Sequence, residues 1–248
     1  MEYDELIAQG LTTPFEGWDF GVFQGRMTEK ALPWDYGELV RERLPYTGSL
    51  LDLGTGGGEF LAALGPLPAR TAATEGYAPN VPVARKRLEP LGVEVVEVGD
   101  DDRLPLTDAS FELIVSRHES YDPAELRRVL KPGGTFITQQ VGGQDLADVN
   151  RVLGAPAHEY TEWNLAAAVE ELTEAGFEIS WQTETLVEST FLDVGALVLF
   201  LRITPWHVPD FDVIRYGDRL RALHDQMRTG HPLTTTAHRF ALTAQIPT

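Results

Sequence analysis

Residues 50–60 read LLDLGTGGGEF: an apolar run ends in an aspartate, Asp52, and then breaks into four glycines within five residues, Gly54, Gly56, Gly57 and Gly58. An apolar strand, a sharp glycine turn and a helix together aim backbone N–H groups and a positive helix end at the mouth of a sheet. Glycine suits such a turn because it accepts positive φ and has no Cβ to hold a ligand away. Three readings compete: a phosphate site, a site for an adenosine without phosphates, or a tight turn and nothing more. The phosphate reading fails on details. No Lys-Ser/Thr pair follows the glycines, and the third glycine of a dinucleotide fingerprint would fall at Glu59. Asp52 also puts an anion where a pyrophosphate wants none, and it suits a ligand carrying an ammonium or sulfonium charge.

Two further acids fall where a second and a third strand end. Glu75 closes TAATE, 21 positions after Gly54, the usual offset for a carboxylate that accepts both ribose hydroxyls. Asp100 follows the third strand in VGDDDRLPL, placed to accept from an adenine amino group. Three carboxylates at successive strand ends point to a cationic, phosphate-free adenosine.

The elements that must position these acids are legible as an alternation of strand-like and amphipathic helical stretches, the signature of βαβ units. Strands are expected at Ser49 to Leu53, Thr71 to Glu75, Val93 to Val98, Leu113 to Ser116 and Thr135 to Val141. Helices are expected at Glu59 to Leu64, Pro79 to Leu88 and Ala124 to Leu130. Further on, a helix over Glu162 to Ala175 stops at Gly176, a good residue to end one, and Phe177 to Glu188 alternates like a sixth strand. DVGALVLFLRIT fits either a helix or a buried strand; Asp193 as an N-cap favours helix. Asp210 to Arg228 reads as an amphipathic helix and AHRFALTAQI as the last strand. Before Pro45 the one clear element is a helix from Asp35 to Leu44.

Composition excludes several functions. A net charge of −18 repels a polyanion, so a nucleic-acid partner is not expected. The absence of cysteine removes disulfides, thiolate zinc sites and cysteine nucleophiles, and no metal site is expected. The acidic start MEYDELIAQGLTTPF has neither the basic nor the apolar region of a secretory signal. The apolar run Gly195 to Leu201 is far short of the roughly 20 residues of a membrane span. The expectation is a cytoplasmic protein.

With these residues in view, the chain resembles the class I S-adenosylmethionine-dependent methyltransferases. LLDLGTGGGEF resembles their D-x-G-x-G-x-G first motif, TEG the acidic second, GDDDRLPLTDASFELIVSRHE the third and fourth, and LKPGGTFI the motif around the fifth strand. The resemblance implies a Rossmann-like α/β fold, with a seven-stranded, mostly parallel sheet whose last strand is antiparallel and with helices on both faces. It implies a single domain: an N-terminal cap over 1–45, a cofactor-binding core over 46–142, and the second half of the sheet over 143–248 with a helical lid at about 192–230. It implies S-adenosylmethionine as cofactor and S-adenosylhomocysteine as product.

Carried over by position, Asp52 and Gly54 would lie by the methionine amino group, with Gly56 also against the cofactor. Glu75 would hold the ribose, Gly76 and Tyr77 would flank the adenosine, and Asp100 with the Asp101 backbone would read the adenine edge. Arg26 would pair with the methionine carboxylate under a cap that includes Trp18 and Phe20. His118, in SRHES, would sit near the methyl group as the first candidate for a general base, with Glu119 and Tyr121 the next candidates for that role. Gln139, Gln140, Trp206 and His207 would face the acceptor.

The fourth motif reads SRHE and lacks the Asn/Asp-Pro-Pro-aromatic pattern of enzymes that methylate exocyclic nucleobase amines. A small organic acceptor is therefore the expected partner. The alternatives are a binding module without turnover, a methyltransferase acting on RNA or protein, and a nicotinamide-dependent oxidoreductase, which Asp52 and Glu59 disfavour.

Overall fold

The computed structural model describes residues 1–15, 18, 20–99, 103–157 and 160–247. In chain order it contains helix α1 (Tyr3–Thr12), strand β1 (Met27–Glu29), α2 (Tyr36–Arg41), β2 (Ser49–Leu53), α3 (Glu59–Ala63), β3 (Arg70–Glu75), α4 (Val81–Leu88), β4 (Glu94–Glu97) and β5 (Phe111–Arg117). There follow α5 (Pro123–Val129), β6 (Leu130–Val141), α6 (Ala147–Leu153), α7 (Leu165–Glu174), β7 (Glu178–Phe191), α8 (Val194–Ile203), α9 (Gly217–Arg228) and β8 (Leu233–Gln245).

The described residues form one eight-stranded sheet in the order β1-β7-β8-β6-β5-β2-β3-β4. Neighbours from β4 through β2 and β5 to β6 are parallel. Strand β8 runs antiparallel to both β6 and β7. From β2 the chain moves out to β3 and β4, then returns to place β5 on the other side of β2. That reversal is a switch point, the place where sheets of this kind bind ligands beyond the carboxyl ends of their strands.

The eighth strand corrects the expected seven. Strand β1 pairs antiparallel with the far end of β7, Met27 opposite Phe191 and Glu29 opposite Ser189. Three residues show no alternation to read, and the strand exists because the long β7 leaves an edge that it covers. Helix α1 was equally unexpected. Its Gly10 and the Gly195 of α8 let the two helix backbones touch; a Cβ on Gly10 would come within 2.6 Å of the Gly195 carbonyl.

Three apolar clusters surround the sheet. One face packs against α5 and α7 through Leu51, Ile114, Phe136 and Leu172. The other packs against α2, α3 and α4 through Leu50, Ala73, Val115 and Ile137. The third joins α1, α6, α8 and α9. Helix α8 is buried from Val194 to Leu201, so this part of the expected lid is core. The Asp193 carboxylate caps it by accepting from the Ala196 amide at 2.9 Å. The helix expected from Asp210 begins only at Gly217, because the Asp212 carboxylate takes the amides of Ile214 and Arg215 and holds a turn there. Among the described residues, no helix is long and apolar enough to cross a membrane.

Candidate active site

Side chains alternate across a strand, so Leu50, Ala73, Val115 and Ile137 on one face place Asp52, Glu75, Arg117 and Gln139 on that same face at the carboxyl edge. Of these, Asp52 lies beside Thr55 of the glycine turn and Glu75 faces the Gly56 amide in it. Gly54, Gly56 and Gly58 have φ of +63°, +62° and +79°, values that a side chain would strain. Gly58 is also the N-cap of α3.

Asp52 is 4% exposed. Burial pushes its carboxyl up to about 7, against the Thr55 hydroxyl and the Arg117 charge, which lower it, while Glu75 adds a like charge. Glu75 is equally buried. Its Oε1 accepts from the Tyr77 amide at 2.7 Å, and the amides of Gly56 and Gly76 also face the carboxylate. Burial and the neighbouring Glu119 outweigh these amides and raise its pKa. A buried carboxylate left so short of positive charge is chemically suited to a cationic ligand.

The adjacent strand ends complete the rim. Arg117 lays its guanidinium 4.8 Å from the centre of the Phe60 ring in the first turn of α3. His118 takes φ of +64°, and its amide donates to the Gln139 carbonyl at 2.8 Å. The Gln139 side chain lies between two rings: Trp34 Nε1 donates to its Oε1 at 2.8 Å, and its Nε2 is 3.1 Å from His118 Nε2. The side chain of Glu119 crosses Gly54, where an added Cβ would approach the Glu119 Cβ to 2.6 Å. The Glu119 carbonyl is held by Gln140 Nε2 at 2.9 Å.

A sequence profile described as a methyltransferase domain matches residues 51–138, from the glycine turn to β6. Over these residues the chain is similar to methyltransferase domains. An uncharacterised 37.1 kDa protein in transposon TN4556 of Streptomyces fradiae is 38% identical over 100 residues, which are 36% of this chain and 29% of that protein. The match thus spans less than a third of the relative. Among solved structures, a candidate methyltransferase from Bacillus halodurans aligns with a TM-score of 0.62 at 20% identity, over 86% of this chain and 99% of the other. A SAM-dependent methyltransferase from Aquifex aeolicus aligns with a TM-score of 0.51 at 16% identity, over 99% of both chains. At such identities the likeness is one of fold.

Not every expected residue gathers at the glycine turn. Asp100 and Asp101 lie outside the described residues. Arg26 is a correction: its Nε and one terminal nitrogen bind Asp193 at 2.8 and 2.5 Å. It adjoins β1, five strand positions from β2, or roughly 24 Å at ~4.8 Å per strand. It anchors the start of α8 and does not reach the turn. His207 is another. It is buried, with Nε2 3.6 Å from Asp145 Oδ2, and Asn150 donates to its carbonyl at 2.6 Å. Asp145 also binds Arg239, which reaches Glu29 at 3.2 Å, so His207 adjoins an internal polar network.

Trp18 and Trp206 do meet, with ring centres 6.0 Å apart, in an exposed aromatic group with Phe15 and Phe20. Tyr121 turns to the opposite face of the sheet, against Phe136 and Trp163.

Sequence reasoning overlooked Trp34 and Arg117. Alternation along FELIVSR would have put Arg117 on the Asp52 face. Nothing local signals Trp34, whose partner lies 105 positions away.

Proposed function

We propose that this protein transfers the methyl group of S-adenosylmethionine to a nucleophilic atom of a small organic acceptor. One observation carries the reading: Asp52 and Glu75, both buried, lie at a glycine turn at the switch point, where burial raises the pKa of each. When bound, the cofactor supplies an electrophilic methyl group, so the protein has chiefly to align the acceptor and exclude water.

In this reading Asp52 and Gly54 hold the amino end of the cofactor, Gly56 lies against it, and Glu75 takes the ribose hydroxyls. Gly76 and Tyr77 flank the adenosine, and Asp100 with Asp101 reads the adenine edge. Arg117, exposed beside Asp52, replaces Arg26 as the partner of the cofactor carboxylate. His118 and Gln139 face the acceptor. A net charge of −18 supports a small molecule over a polyanion.

Calorimetry with S-adenosylmethionine, S-adenosylhomocysteine and NAD tests the cofactor. Binding of the first two is expected, and NAD binding alone would end the reading. Transfer of labelled methyl to the small-molecule fraction of a cell extract, compared with its RNA and protein fractions, tests the acceptor class. Label confined to a macromolecular fraction would refute a small acceptor.

A further inference from the structure

The contact between Gln139 and His118 has a direction. An indole nitrogen only donates, so Trp34 Nε1 at 2.8 Å requires the oxygen of the Gln139 amide. Turning that amide over would set two N–H donors face to face. The Gln139 nitrogen therefore points at His118 Nε2, 3.1 Å away, and as a donor it requires a lone pair there. The ring proton must then sit on Nδ1. We infer that Trp34 and Gln139 hold His118 as its Nδ1–H tautomer, so that the ring offers the methyl acceptor a hydrogen-bond donor and not a base.

Two independent features agree. The first is electrostatic. An imidazolium would place a third N–H against the Gln139 amide, and the surrounding charges oppose it. Desolvation comes first, then Arg239 of β8 and Arg117 of β5; Asp145, after β6, acts the other way, and the net effect is to hold the ring well below the usual histidine range. The residue as a whole is exposed, so water softens the shift without changing its direction.

The second is conformational. His118 holds a left-handed backbone, φ +64°, an arrangement that is strained for a side-chain-bearing residue and persists where the surroundings impose it. Here the imposed contact is its amide bond to the Gln139 carbonyl. Gln139 thus fixes both the backbone and the proton of His118. Among the described residues nothing hydrogen-bonds to Nδ1, which leaves that donor to a ligand. The acceptor it fits brings an oxygen or nitrogen lone pair to Nδ1, and its nucleophile needs no proton removed by His118.

The inference rests on the proposed function for its link to the acceptor, while the tautomer itself is testable without any ligand. In protein carrying 15N-labelled histidine, long-range 1H–15N correlation should show His118 with a protonated Nδ1 and a bare Nε2, unchanged from pH 5 to 8. A protonated Nε2, or titration near 6.5, would overturn the inference. Gln139→Glu should reverse the tautomer, because a carboxylate accepts from both Trp34 and His118. It should also bring the His118 titration, with a matching limb in the pH profile of turnover, into the neutral range. Trp34→Phe should leave a mixture of tautomers. An unmoved tautomer in both variants would refute the relay. Cofactor binding with the wrong tautomer defeats only this inference; the right tautomer without cofactor binding defeats only the proposed function.

Discussion

The side chain of Glu119 lies across Gly54, in the space that a Cβ on that glycine would occupy. A residue after β5 and a residue after β2 therefore share one small volume at the switch point, and the glycine is what allows it. Gly54→Ala should lower stability by about 1–3 kcal/mol, because alanine at φ +63° is strained, and should weaken cofactor binding at least tenfold. Adding Glu119→Ala should relieve the collision but not the strain. Full recovery of stability in the double variant, followed by thermal unfolding, would show that the backbone conformation is not the constraint.

Asp52 should give the protein a measurable pH dependence. Its folded pKa of about 7 lies above the unfolded value of about 3.9. Between the two, the folded chain keeps a proton that the unfolded chain has released, so this group removes stability as pH rises from 4 to 7. Asp52→Asn should therefore be more stable than the parent at pH 8, by up to about 4 kcal/mol, and no more stable at pH 4. A constant difference across that range would contradict the assignment.

The same group should govern cofactor affinity. The ionised carboxylate is the form that meets an ammonium, so the Kd for S-adenosylmethionine should rise about tenfold per unit as pH falls below 7, with proton release on binding. Calorimetry in two buffers of different ionisation heat would count those protons, and a flat Kd from pH 5.5 to 8 would exclude Asp52 as the contact.

Glu75→Ala removes a carboxylate that the proposal gives to the ribose. The affinity should drop by about 1.5–3 kcal/mol, the usual cost of losing a hydrogen bond to a charged group, with the far-UV circular dichroism unchanged. Normal affinity in the folded variant would displace the ribose from this strand end.

Arg26→Ala should behave in the opposite way. Burial raises the Asp193 pKa, but the bonds from Arg26 and the helix amides outweigh it and hold the carboxyl low. Its contribution is present above the unfolded pKa and is lost as pH falls below that value. The variant should lose about 1–3 kcal/mol at neutral pH, and less in acid, with cofactor Kd within twofold. A Kd raised tenfold would return Arg26 to the cofactor.

The sequence by itself determined the parallel half of the sheet and the acidic strand ends. Period-two alternation, a glycine turn and a carboxylate at a strand terminus are local properties, and Asp52 and Glu75 were legible because each is fixed by its own strand. The capped start of α8 was legible for the same reason, in Asp193 three residues before Ala196. Contacts between distant segments were not. Strand β1 is defined by the edge that β7 leaves open. The partner of Arg26 is 167 positions away in Asp193, and that of Trp34 is 105 positions away in Gln139. Hydrogen bonds of that span depend on where the whole sheet brings two chains together. So the sequence pointed to the cation that the turn would hold, and the tertiary structure decided which way the proton on His118 faces.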